Sequence, residues 1–198
     1  MKTVLAFVLW AWAWPAAAQL PDTATTDLPP AGFGTLRQTD VAVVLRTDNL
    51  QISVLPLDER VIRLLSPDTY QAMHAIRTAR EEDLRQAAPF GSAEQWQIFL
   101  VTMYASRERI QFDPERIRIT SNNRYFRPIE ILPITPRWAE HQLDGGGTSS
   151  ALYLFDRGLD PLKPMTIEYG MEIDTSWGQT LYRLELERTR VESRARGT

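Results

Sequence analysis

The sequence predicts a mainly β fold of the α+β class: an immunoglobulin-like β-sandwich with one inserted helix and a C-terminal helix. Three observations predict it. Apolar and polar residues alternate over about eight short stretches, the period of half-buried strands. Turn residues separate these stretches at intervals of about ten, the rhythm of two-layer β folds. Two longer stretches carry apolar residues at helical spacing instead. There is no internal repeat, and the Cys…Trp…Cys pattern of antibody domains is missing, so the assignment rests on pattern.

The first eighteen residues stand apart from this domain. Lys2 is a positive start, Val4 to Trp14 is an uncharged run of eleven residues, and Pro15 breaks it. Ala16 and Ala18 place small residues at −3 and −1 before Gln19. That order is the one a cleavable secretory signal needs, with cleavage between Ala18 and Gln19. Eleven helical residues span only about half of a ~30 Å hydrocarbon core, which argues against a retained anchor. No later stretch approaches ~20 apolar residues, so no transmembrane segment is expected in the mature chain. The expected location is therefore periplasmic or secreted.

Composition narrows the chemistry. The chain has no cysteine, which excludes thiol catalysis, Cys-based zinc sites, iron–sulfur clusters and acylation as a lipoprotein. The formal charge is −3, and Lys2 is the leader's only charge, so residues 19–198 carry −4. Nucleic-acid binding is not expected from a chain lacking a basic footprint.

The elements follow in order. Residues 19–35 are rich in Pro, Thr, Ala and Asp and read as a flexible linker; residues 36–198 form the single domain. Val41, Val43 and Leu45, then Leu50, Ile52 and Val54, alternate on either side of Asp48-Asn49 and predict a hairpin. Arg60 to Leu65 reads as a third short strand. Ser66, Pro67 and Asp68 form a helix start, and Tyr70, Met73, Ile76 and Ala79 form its apolar stripe, with Leu84 and Ala87 continuing it. Pro89-Phe90-Gly91 ends the helix.

Gln97 to Tyr104 is apolar on both faces and predicts a central strand. Ile110 to Phe112 is a short strand and Asp113-Pro114-Glu115 a turn. Arg116 to Thr120 alternates strictly and leads to Asn122-Asn123, a pair that tolerates positive φ in a tight hairpin. The return, Tyr125 to Ile134, contains Pro128 and Pro133, with Pro136 just beyond, which assigns it to a sheet edge or bulges. Ala151 to Phe155 and Met165 to Tyr169 are further strands around the Asp156–Pro164 loop. From Trp177 a helix is expected, capped by Thr175 or Ser176, with Trp177, Leu181, Leu184 and Val191 on one face; a strand over Leu181 to Leu186 is the alternative.

No catalytic, metal or nucleotide motif stands out. His74 and His141 are isolated and lack ligand spacing, so no metal is expected, and no cofactor is implied. His74 reads as a packing or locally hydrogen-bonded residue. Ser149 and Ser150 follow three glycines, but the stretch lacks the closing Gly and the following helix of a nucleophile elbow. Asp156 and Asp160 read as turn residues rather than calcium ligands. The candidate binding residues are Tyr125, Trp138 and His141, which form a concave surface if they and the Gly loop gather at one end of the fold. The expectation is a non-enzymatic exported module that binds an envelope protein or cell-surface component. The alternatives are a secreted hydrolase using His141 with Glu140 or Asp144, and an assembly factor that adds a client strand at a sheet edge.

Overall fold

The computed structural model describes residues 28–87 and 96–197. The expected leader, its cleavage site at Ala18 and Gln19, residues 19–27 and Pro89-Phe90-Gly91 lie outside the described residues. Those described form eleven strands in three antiparallel sheets and a long C-terminal helix, an α+β arrangement that is mostly β. No helix among them is long and apolar enough to cross a membrane.

A short helix α1 (Gln38–Val41) leads into the expected hairpin, β1 (Val43–Arg46) and β2 (Leu50–Pro56), paired from Val43 with Val54 to Arg46 with Gln51. Thr47 fixes the turn, its hydroxyl oxygen accepting from the Leu50 amide at 3.0 Å. The third strand expected at Arg60 to Leu65 is instead a helical turn, α2 (Glu59–Ile62). Asp58 caps it by accepting from the Arg60 amide at 2.8 Å. The buried residues are Val61, Ile62, Leu64 and Leu65. Two adjacent pairs, three residues apart, suit a helical turn; a strand would have sent alternate ones to solvent.

The expected single helix over 67–87 divides into α3 (Pro67–Ala79) and α4 (Glu81–Ala87). Arg80 breaks it at φ −111°, ψ 12°. Its guanidinium donates to Asp83 and to the Pro133 carbonyl, both at 2.7 Å, which ties the break to the edge of the sheet below.

The central strand is as expected. β3 (Trp96–Ala105) lies in the middle of a five-stranded sheet of order β1-β2-β3-β9-β7, completed by β9 (Thr148–Asp156) and β7 (Glu130–Pro133). One alternate set on β3, Phe99, Val101, Met103 and Ala105, is fully buried. The other begins with buried Ile98 and Leu100 and ends with half-exposed Thr102 and exposed Tyr104. β9 repeats this, with Leu152 and Leu154 buried and Thr148 exposed. The sheet's second face is therefore apolar where α3 and α4 lie and polar beyond them.

β4 (Ile110–Gln111) pairs with β8 (Gln142–Leu143) in a two-stranded ladder. A 3-10 turn (Pro114–Arg116) leads to β5 (Ile117–Ser121), and β6 (Arg124–Phe126) returns through Asn122 and Asn123 at φ 50° and 59°. These are the positive-φ positions expected of a two-residue hairpin. β10 (Met165–Tyr169) and β11 (Glu172–Asp174) complete a four-stranded sheet, β11-β10-β5-β6; the sequence pattern had not revealed β11. The proline-bearing segment behaves as expected: β6 and β7 are both edge strands, Pro128 falls between them and Pro133 ends β7. At the other end β1 lies against β11. The buried residues of both larger sheets belong to one hydrophobic cluster.

Residues 177–196 are helix, α5 (Trp177–Arg196), and not the alternative strand. Trp177, Thr180, Leu184, Glu187 and Val191 are its buried face, at spacings of three and four. Asp174 rather than Ser176 supplies the polar start, accepting from the Ser176 amide at 2.8 Å and hydroxyl at 2.7 Å. Glu187 is only 1% exposed. Its Oε1 accepts from the Thr35 amide, the Thr35 hydroxyl and Arg194 Nη1, each at 2.9 Å, while Oε2 is buried without a hydrogen bond. Arg194 also donates to the Phe33 carbonyl at 2.5 Å. The Leu36 amide donates to the Leu64 carbonyl, and the Ser66 amide to the Leu36 carbonyl. Residues 33–36 are thus joined both to α5 and to the junction of α2 with α3.

Candidate functional site

Tyr125, Trp138 and His141 occupy three different environments. Tyr125 lies on β6 and is 75% exposed. It pairs in register with Thr120 on β5, which pairs with Thr166 on β10. The same face carries a second row, Ile173 on β11, Glu168 on β10 and Arg118 on β5. Ile173 is 61% exposed, and Met171, at the turn that Gly170 makes with φ 64°, is 93% exposed. At about 4.8 Å per strand, Tyr125 and Ile173 stand roughly 14 Å apart across the sheet.

The opposite face of this sheet is packed into the core. Ile117, Ile119, Met165, Ile167, Tyr169 and Phe126 are buried beneath it. Arg124 lies over the Phe126 ring at 5.2 Å and Arg116 over the Tyr169 ring at 5.8 Å. The Tyr169 hydroxyl accepts from the Asp113 amide at 3.1 Å. Burial raises its pKa, more than the amide bond and Arg116 lower it, so the phenol stays protonated.

Trp138 belongs to the core. It lies in a 3-10 turn (Pro136–Glu140), is 2% exposed, and packs against Phe112 at 5.0 Å and Tyr153 at 6.1 Å. Tyr153 is fully buried and donates its hydroxyl to the Pro114 carbonyl at 2.9 Å; burial pushes its pKa far upward. His141 ends the 3-10 turn in the left-handed region at φ 50°. Its ring lies 5.7 Å from Phe112, so Phe112 bridges Trp138 and His141. Tyr125 takes part in none of these ring contacts.

The carboxylates beside His141 are engaged elsewhere. Arg137 donates to Glu140 at 2.9–3.1 Å and to Asp144 at 3.4 Å. The Arg137 hydrogen bond holds the Glu140 carboxyl below its ordinary range. The glycine run is a turn tied to β3, with the Gly146 amide donating to the Ala105 carbonyl at 2.9 Å. Asp156 and Asp160 accept from the amides of Gly158 and Leu162, as turn residues do. Among the described residues no three His, Asp or Glu side chains gather where they could hold a metal ion.

One titratable cluster was not foreseen. Glu59 of α2 accepts from Arg63 Nε at 2.7 Å and from the Tyr70 hydroxyl at 3.4 Å, and lies 3.0 Å from His74 Nδ1. Burial pushes the Glu59 carboxyl up, but the bonds to Arg63 and His74 outweigh it and hold the group below its usual range. His74 is thus hydrogen-bonded, but not locally within its own helix as its isolation in sequence implied. Its partner lies fifteen residues away on another helix, beyond any spacing rule. The Arg63–Glu59 pair, four residues apart, was the one legible part, and the misassigned strand hid it.

No protein-family model, curated protein or solved structure matches this chain.

Proposed function

We propose that the chain is a non-enzymatic exported module that binds an envelope protein or cell-surface component through the outer face of its four-stranded sheet. The observation that carries this reading is the exposure of Tyr125, Ile173 and Met171 on one sheet with a packed underside. Tyrosine, methionine and arginine are enriched at protein interfaces, and a rigid platform lowers the ordering cost of association. Arg118 and Glu168 supply a paired polar row beside the apolar residues.

An immunoglobulin-like sandwich with added helices is the architecture that fits this reading. It is supported by antiparallel sheets of five and four strands whose buried faces share one cluster. Export is supported by the order Lys2, apolar run, Pro15 and Ala16-Ala17-Ala18. The catalytic alternative has less support, because Arg137 engages both carboxylates nearest His141 in sequence.

The test is crosslinking and capture from an envelope fraction, after N-terminal sequencing of the purified protein. The reading expects a chain beginning at Gln19 that captures a partner, with capture lost in Tyr125→Ala/Ile173→Ser. A chain that keeps residues 1–18, or capture unchanged in the double variant, overturns it.

A further inference from the structure

Four arginines of the four-stranded sheet stand out by what they lack. Arg116 leads into β5, Arg118 lies on it, Arg124 lies on β6 and Arg127 follows it. All four are exposed, and none makes a side-chain hydrogen bond or ion pair among the described residues. Elsewhere Arg60, Arg63, Arg80, Arg137 and Arg194 each hold a carboxylate at 2.7–2.9 Å. The chain has 25 acidic residues against 22 basic ones, yet these four guanidiniums, close together in one sheet, take none of them.

Two of the four converge on one spot. A cavity of about 130 Å³ is lined by Arg116, Arg118, Glu168 and Gly170. Gly170 lets the Arg116 head lie against the turn, since a Cβ there would stand 3.0 Å from Nη2 and 3.3 Å from Cζ. The same guanidinium lies over the Tyr169 ring at 5.8 Å, a contact that steadies it. Arg118 and Glu168 are neighbours in register but form no ion pair. Two guanidiniums and one carboxylate leave one positive charge in excess at this cavity. Met171 and Ile173, both exposed, follow Gly170 on the same hairpin.

We propose that the partner meets this face with an acidic segment. One of its Asp or Glu side chains enters the cavity between Arg116 and Arg118, and apolar neighbours cover Met171 and Ile173. The proposal rests on the reading that this sheet face is the docking surface, and it adds the partner's chemistry. Charge selects the occupant. One planar carboxylate offsets the excess and accepts from both guanidiniums, the geometry Arg favours. A phosphate dianion would overshoot that charge and press on Glu168. A nucleic acid brings a run of phosphates, and a row interrupted by Glu168 matches it poorly.

The test is a titration of the ¹⁵N-labelled purified protein with a random copolymer of glutamate and tyrosine, followed in ¹H–¹⁵N spectra. Saturable shifts are expected at the amides of residues 116–118 and 168–173. In Arg116→Gln/Arg118→Gln the apparent dissociation constant rises about tenfold or more, the worth of one charge-assisted hydrogen bond. Added salt weakens binding to the parent. Arg85→Gln, on the exposed side of α4, leaves it unchanged. The proposal is overturned if those amides show no saturable shift, or if the double variant binds the copolymer as the parent does. It is also overturned if a lysine–tyrosine copolymer, duplex DNA or phosphatidylglycerol vesicles bind this face as tightly. The two readings fail separately. Envelope capture that is lost in Tyr125→Ala/Ile173→Ser but unchanged in Arg116→Gln/Arg118→Gln keeps the docking face and removes its acidic partner. The amide spectrum of each variant reports whether it is folded. Arg118→Gln alone, at a residue without a ring contact, decides the matter should the double variant fail to fold.

Discussion

Replacing Glu187 tests how the first described residues are held to the last helix. Its carboxylate is buried, and one oxygen receives three hydrogen bonds, two from Thr35 and one from Arg194, all at 2.9 Å. A hydrogen bond to a charged group contributes about 1.5–3 kcal/mol when nothing replaces it. Thr35 and Arg194 both reach solvent and can turn to water, so about 1 kcal/mol each is the reasonable value, near 3 kcal/mol in all. Glu187→Ala should therefore lower the urea midpoint without changing the m-value, and lower Tm by about 6–12 °C in a chain of this size. Glu187→Gln keeps the shape and the acceptor and loses only the charge, costing about 1 kcal/mol.

The pH dependence has a definite sign. Burial raises the Glu187 pKa, but Arg194 and Thr35 together outweigh it, and the folded value lies below the ordinary one. Its contribution is then complete above the unfolded-chain value, about 4.3, and fades as pH falls through the folded value. The gap between parent and Glu187→Gln should be present at neutral pH and close below about pH 4. An Ala variant within about 0.5 kcal/mol of the parent in urea melts would refute the reasoning, since that is the scatter of an ordinary surface substitution.

Gly34→Ala should destabilise by about 3 kcal/mol in the same melts, because an added Cβ would lie 2.3 Å from the Leu64 carbonyl carbon and oxygen. Trp138→Ala should cost about 3–5 kcal/mol, the loss of a core aromatic, and a value under about 1 kcal/mol would mean the ring is not part of the core. Asn123, at φ 59°, should accept Gly with a change of under about 1 kcal/mol but lose about 1–2 kcal/mol as Val. Equal melts for those two variants would contradict the left-handed turn.

The elements that were legible are those whose signals are local. Asn122-Asn123 announced its turn because positive φ belongs to few residue types. Gln97 to Tyr104 announced a central strand because only a strand covered on both sides is apolar on both. The prolines at 128 and 133 marked edges because they lack a donor. Val61-Ile62-Arg63-Leu64-Leu65 was misread although its pairs already had helical spacing; shortness masked the period. The site was less legible. Tyr125 and Trp138 look alike in sequence, yet one projects from an edge strand and the other fills the space beside Phe112 and Tyr153. Glu187 sat within a run of alternating charges that reads as a solvated helix, and only tertiary contact distinguishes it from Glu185 or Glu192.

The bonds between Thr35 and Glu187 and between Phe33 and Arg194 join residues separated by 152 and 161 positions. A ribosome delivers a chain from its N-terminal end, so this closure waits until Glu187 and Arg194 have emerged. Contacts so remote in sequence also slow the search for the native state, because the entropy of closing the loop precedes any gain. The fold thus carries its own delay, because residues 33–35 have no partners on α5 until that helix has been made.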